Sequence, residues 1–171
     1  NLSKLTRYDW PSFSNKKIVV PSLDRPINNF LPGPGNKIYM SVEDQGNNKI
    51  FVADVAKAEA KELPGRNGSY NAVSISTDAK TVVSTYDNAS MPTEIVRFDG
   101  TSKEPHFLTH FNETSVAALD LPAPEVFWTT TSRGKKIKSL LIRPAGFDAS
   151  KKYPLFVVMH GGPAGTWADT W

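Results

Sequence analysis

The chain has 171 residues, with 20 Lys and Arg against 17 Asp and Glu, a net charge of +3 at neutral pH. Its 39% hydrophobic and 22% charged residues suit a globular protein and exclude a disordered or fibrous one. No apolar run approaches the roughly 18 residues of a membrane span, and the missing cysteine removes disulfides, thiol catalysis and most zinc sites.

The basic residues come in small groups, Lys16-Lys17, Lys135-Lys136 and Lys151-Lys152. Such groups offer no continuous track for a phosphate backbone, so no nucleic-acid partner is expected. The chain starts at Asn1 without an initiator Met, as a processed chain or a fragment would. Asn-X-Ser/Thr sequons begin at Asn1, Asn67, Asn88 and Asn112. This excess over chance favours a secreted or periplasmic protein, with a cytoplasmic one as the alternative.

From residue 28 the chain repeats itself. Residues 36–44 recur in outline as 79–87, an offset of 43 residues, and each copy is followed by a second apolar run that ends in Asp, at Asp54 and Asp99. Alternation of period two and β-branched or aromatic residues predict strands. Four short strands in 40 to 45 residues are the content of one β-propeller blade. One blade is predicted from strands at 28–31, 37–43, 49–54 and 61–63, and the next from 70–76, 81–86, 94–98 and 106–108. Residues before 27 would form part of an earlier blade or an irregular connection. A small β-sandwich is the competing architecture; two blades alone would leave faces uncovered.

Residues 121–124, Leu-Pro-Ala-Pro, read as a linker, dividing blades at 1–121 from a second unit at 122–171. In the second unit, 126–131 and 137–143 flank Ser132-Arg133-Gly134 and predict a hairpin. The run Leu155-Phe156-Val157-Val158-Met159 predicts a strand buried on both faces of a mostly parallel sheet. His160-Gly161-Gly162-Pro163 follows it directly, where open α/β sheets place their sites. Two glycines let the main chain turn sharply and approach a substrate.

The stretch from Phe147-Asp148 through Lys151-Lys152-Tyr153-Pro154-Leu155 to His160-Gly161-Gly162-Pro163 resembles the opening of the catalytic domain of prolyl oligopeptidase family serine peptidases, in particular the acylaminoacyl peptidase and dipeptidyl peptidase V branch. The blade pattern is similar to the last propeller blades of that family. The resemblance implies a mostly β chain, blades followed by the first strands of an α/β-hydrolase domain. It also implies hydrolysis of a peptide bond near the amino terminus of a short peptide, through a Ser-Asp-His triad and an acyl-enzyme. The blades would limit entry to small substrates.

One functional element carries over, the oxyanion loop His160, Gly161, Gly162 and Pro163, with the Gly162 amide as donor. His160 does not match the triad base. No Gly-X-Ser-X-Gly turn and no triad member are present, so the chain alone is expected to be inactive and to need the remainder of a catalytic domain as its partner. No cofactor or metal is implied. His106 and His110 have a zinc-like spacing, but on a strand their rings would lie apart and no further ligands are evident. Asp44, Asp54 and Asp99 sit at strand ends and read as structural. Trp167 and Trp171 could line a substrate pocket or pack the loop. The alternative function is a non-catalytic propeller fragment that binds a protein or peptide; an esterase with the same loop would not need the repeat.

Overall fold

The computed structural model describes residues 2–100, 102–162 and 165–171. Among them the chain forms twelve strands and one short helix. The first repeat is an antiparallel meander of β3 (Ile27–Gly33), β4 (Lys37–Asp44), β5 (Asn47–Asp54) and β6 (Glu59–Glu62). The second is an antiparallel meander of β7 (Ser69–Ile75), β8 (Val82–Asn88), β9 (Met91–Phe98) and β10 (His106–Phe107). All eight expected blade strands are present, within a few residues at each end. A single parallel pairing of Asn48 with Ser69 joins the two meanders, and the Gly68 amide donates to the Asn47 side chain at 2.9 Å beside it.

The period-two pattern explains the core. Along β4, Tyr39 faces a cluster shared with Ile50, Tyr70, Val82, Tyr86, Val96 and Phe98, which fills the space between the two sheets. The alternate residues Met40 and Val42 face the other way, onto Val19, Val20 and Ala53. β4 is therefore buried on both faces, since successive strand side chains point to opposite sides. Each such aliphatic side chain contributes about 1.5–3 kcal/mol of burial. The second sheet has only one covered face: Val82, Ser84 and Tyr86 are buried, while Ile95 and Arg97 on β9 are exposed.

Turns follow backbone chemistry. Gln45 and Gly46 join β4 to β5 with φ of 55° and 80°, the paired positive values of a type I′ hairpin. β3 runs further than the sequence predicts, through Pro32 and Gly33. Proline is tolerated there because β3 is an edge strand with no second partner to receive an amide.

Two elements lack a sequence counterpart. β1 (Thr6–Asp9) and β2 (Ser14–Ile18) form a hairpin ahead of the first sheet; it has no clean alternation and is largely exposed. The helix α1 (Glu113–Ala117) buries no residue and has no side-chain cap. Downstream, β11 (Glu125–Thr130) and β12 (Lys136–Leu141) form the expected hairpin.

The expected buried strand at 155–159 is not formed. Leu155, Phe156, Val157, Val158 and Met159 lie outside any strand and are 56–89% exposed. A strand satisfies its amides and carbonyls only beside other strands, and among the described residues none pairs with this run. Its apolar composition marks it for burial, but composition alone cannot supply a neighbour.

Candidate functional site

The loop His160, Gly161 and Gly162 is exposed, and Pro163 lies outside the described residues. Gly162 has a φ of 73°, a conformation that side chains with a Cβ adopt at a cost. A Cβ at Gly161 or Gly162 would meet nothing within 4 Å, so the second glycine serves the backbone turn and the pair leaves open space before the main chain. A Cβ on Gly165 would stand 2.8 Å from the Gly161 carbonyl oxygen and 3.2 Å from His160 Nδ1.

Residues 167–171 return to the strands. The Asp169 amide donates to the Gly46 carbonyl at 2.6 Å, and the Ser69 hydroxyl donates to the Asp169 carbonyl at 2.8 Å. The Ala89 amide donates to the Asp169 carboxylate at 2.9 Å. Asp87, 4% exposed, accepts from the Thr170 hydroxyl at 2.5 Å and the Trp171 amide at 3.1 Å through Oδ1. Lys138 on β12 donates to the Gln45 carbonyl at 2.5 Å. The hairpin turns of both repeats thus hold the segment that follows the loop.

Trp167 and Trp171 take part through their backbones. A Cβ on Gly46 would stand 2.7 Å from the Trp167 carbonyl oxygen, while both tryptophans are 56% exposed. Neither lines a cavity of about 410 Å³ or one of about 220 Å³ among the described residues.

The larger cavity lies beside β9, β10 and α1, with Arg66, Met91, Glu94, Phe107 and His110 in its wall. Sequence reasoning passed over it. Burial alone would raise the pKa of Glu94, but hydrogen bonds from Thr109, Asn112 and Phe111 outweigh that and hold it below the ordinary carboxylate range. A buried acid at an alternating strand position, followed by Thr and Asn fifteen and eighteen residues on, was the available signal.

The two histidines meet different carboxylates. His106 Nε2 lies 2.7 Å from Asp99 Oδ2, and His110 Nδ1 lies 3.6 Å from Glu113 Oε2. Ser102 Oγ is also 3.3 Å from His106 Nε2, which brings a Ser, a His and an Asp together. A catalytic triad needs the hydroxyl on one ring nitrogen and the carboxylate on the other. Here both meet Nε2, so the trio cannot relay a proton in that way. Among the described residues no group of three His, Asp or Glu could hold a metal ion.

Of the sequon asparagines, Asn67 is exposed and Asn1 lies outside the described residues. Asn88 donates its side-chain nitrogen to Tyr86 Oη at 3.0 Å, and Asn112 donates its own to Thr93 and Glu94.

No family model matches the chain. It is 29% identical over 143 residues to a probable dipeptidyl-peptidase 5 of Trichophyton verrucosum, covering 80% of this chain and 19% of that protein. It is 28% identical over 141 residues to dipeptidyl-peptidase 5 of Arthroderma otae, with the same coverage. The chain therefore spans about a fifth of the length of the curated relatives it matches. Among solved structures, dipeptidyl peptidase 4 of Porphyromonas gingivalis superposes with a TM-score of 0.73 at 17% identity, over 98% of this chain and 24% of that one. Acylaminoacyl peptidase of Pyrococcus horikoshii gives 0.68 at 19% identity, over 82% and 21%. At these identities the structural likeness speaks for the fold. The chain is thus similar in sequence to dipeptidyl-peptidase 5 proteins across 80% of its length, and similar in fold to a dipeptidyl peptidase and an acylaminoacyl peptidase.

Proposed function

We propose that this chain, a stretch of the prolyl oligopeptidase family, is the part of a longer serine peptidase in which propeller blades (1–121) meet the start of an α/β-hydrolase domain (122–171). Its contribution to the chemistry is one backbone amide, that of Gly162. When a serine Oγ attacks a scissile carbonyl, the carbonyl oxygen gains negative charge. A donor already aimed at that oxygen contributes about 3–4 kcal/mol to the transition state. The second amide of the hole would come from the residue after the nucleophile, outside these 171 residues.

The observation that carries this reading is the seating of residues 167–171 on the hairpin turns of both repeats, immediately beyond the glycine pair. A strand-built lid that holds the chain next to an oxyanion loop can both orient the loop and restrict what reaches it. Small peptides cleaved near their amino terminus are the substrate class proposed. The sequon excess supports a secreted or periplasmic setting.

The test is reaction of a fluorophosphonate with the longer protein that contains these residues, followed by hydrolysis of dipeptidyl, acylaminoacyl and internally blocked peptide substrates. A serine that labels, with preference for short peptides, supports the reading. The 171-residue chain alone should neither label nor turn over. A longer protein without a reactive serine would leave the strands as a binding module.

A further inference from the structure

Asp44 and Asp87 occupy the same place in the two repeats, 43 positions apart at the ends of β4 and β8, yet they hold different partners. Asp44 pairs with Arg25 at 2.6 Å, inside the strand-rich part. Asp87 divides its two oxygens. Oδ2 accepts from Thr93 at 3.3 Å and Asn71 at 3.5 Å, both on neighbouring strands. Oδ1 accepts from Thr170 and Trp171 of the segment beyond the loop.

The geometry points to Asp87 as a positioning residue that latches residues 169–171 onto the second repeat, and through them sets where the His160–Gly162 turn lies. Its kinetic consequence rests on the peptidase reading above. A buried carboxylate is costly to leave without donors, and hydrogen bonds to a charged acceptor are about twice as strong as neutral ones. Releasing Thr170 and Trp171 would strip Oδ1 of both donors, so the segment stays seated. Three further contacts, from Gly46, Ser69 and Ala89 to Asp169, hold the adjoining residue but leave Thr170 and Trp171 to Asp87. Thr170 lies eight positions beyond Gly162, so a shift at the latch is passed to the glycine pair over a short length of chain.

The experiment has two readouts. In the longer protein that contains these residues, hydrogen exchange at the Asp169 and Trp171 amides is compared in wild type, Asp87→Asn, Thr170→Val and Thr170→Ser. Thr170→Val alters only the exposed partner and guards against misfolding of the buried Asp87 variant. We expect protected Asp169 and Trp171 amides in wild type and Thr170→Ser, and loss of most protection at the Trp171 amide in the other two. Unprotected amides in wild type, or protection unmoved in Thr170→Val, would overturn the latch. In the longer protein, Thr170→Val should lower kcat by about tenfold or more with KM nearly unchanged, and Thr170→Ser should restore it. An unchanged kcat, or a change confined to KM, overturns the positioning role. Absence of fluorophosphonate labelling in the wild-type longer protein would sink the peptidase reading instead, and the exchange data would then decide the latch alone.

Discussion

The rings of Tyr70 and Tyr86, from adjacent strands β7 and β8, lie 4.8 Å apart, and both hydroxyls reach the same connecting segment. Tyr86 donates to the Asn67 carbonyl at 2.7 Å, and Tyr70 accepts from the Arg66 amide at 3.0 Å. Two buried side chains therefore fasten the crossing between the repeats. Removing the Tyr86 hydroxyl leaves a carbonyl without its donor, at a cost of about 1 kcal/mol. Tyr86→Phe should lower the urea midpoint by that amount with m unchanged, and Tyr86→Ala should cost about 3–5 kcal/mol through the cavity it opens.

Burial, together with the nearby Tyr86, pushes the Tyr70 phenol up to about 12, against the hydrogen bond from Arg66. A raised pKa favours the neutral form in the folded state. The associated stability is complete below the ordinary tyrosine value near 10 and is lost as pH rises through about 12. Ultraviolet titration should show tyrosinate forming late at one group in wild type, and Tyr70→Phe should remove that late phase.

Glu94 behaves in the opposite sense. Its pKa is held below the usual range, so its contribution is present above about pH 4.3 and disappears as pH falls through its own lower value. Glu94→Gln should be less stable at neutral pH and show a shallower loss of stability in acid. An equally steep acid limb in the variant would mean that Glu94 does not titrate out of its hydrogen bonds.

Gly46 combines a φ of 80° with the close approach of the Trp167 carbonyl, and Gly100 has a φ of 74° with nothing within 4 Å of its Cβ position. Gly100→Ala should cost only the backbone term of roughly 1–2 kcal/mol. Gly46→Ala adds a contact with main chain that must move, so it should cost more and speed proteolysis between 160 and 171. Equal costs for the two variants would show that residues 167–171 are not seated on the turn.

The strands of both repeats were legible because a half-buried sheet imposes period two on its sequence, and because the 43-residue offset let one copy support the other. The run at 155–159 shows the limit. Five apolar residues state a preference for burial, but a strand exists only with a partner, and none stands beside it among the described residues. Gly162 adopts a φ of 73°, a conformation open to glycine because it lacks a Cβ. The seat that holds the next segment was not legible in the sequence.

What the residues determined by themselves is local: where the chain extends, where it turns, and which positions prefer to leave water. What tertiary structure decided is pairing. Asp44 and Asp87 are the same residue at the same repeat position, yet one meets Arg25 and the other meets Thr170 and Trp171. A hydrogen bond depends on distances between residues 83 positions apart as much as on their chemistry, and those distances come into being only when the chain folds.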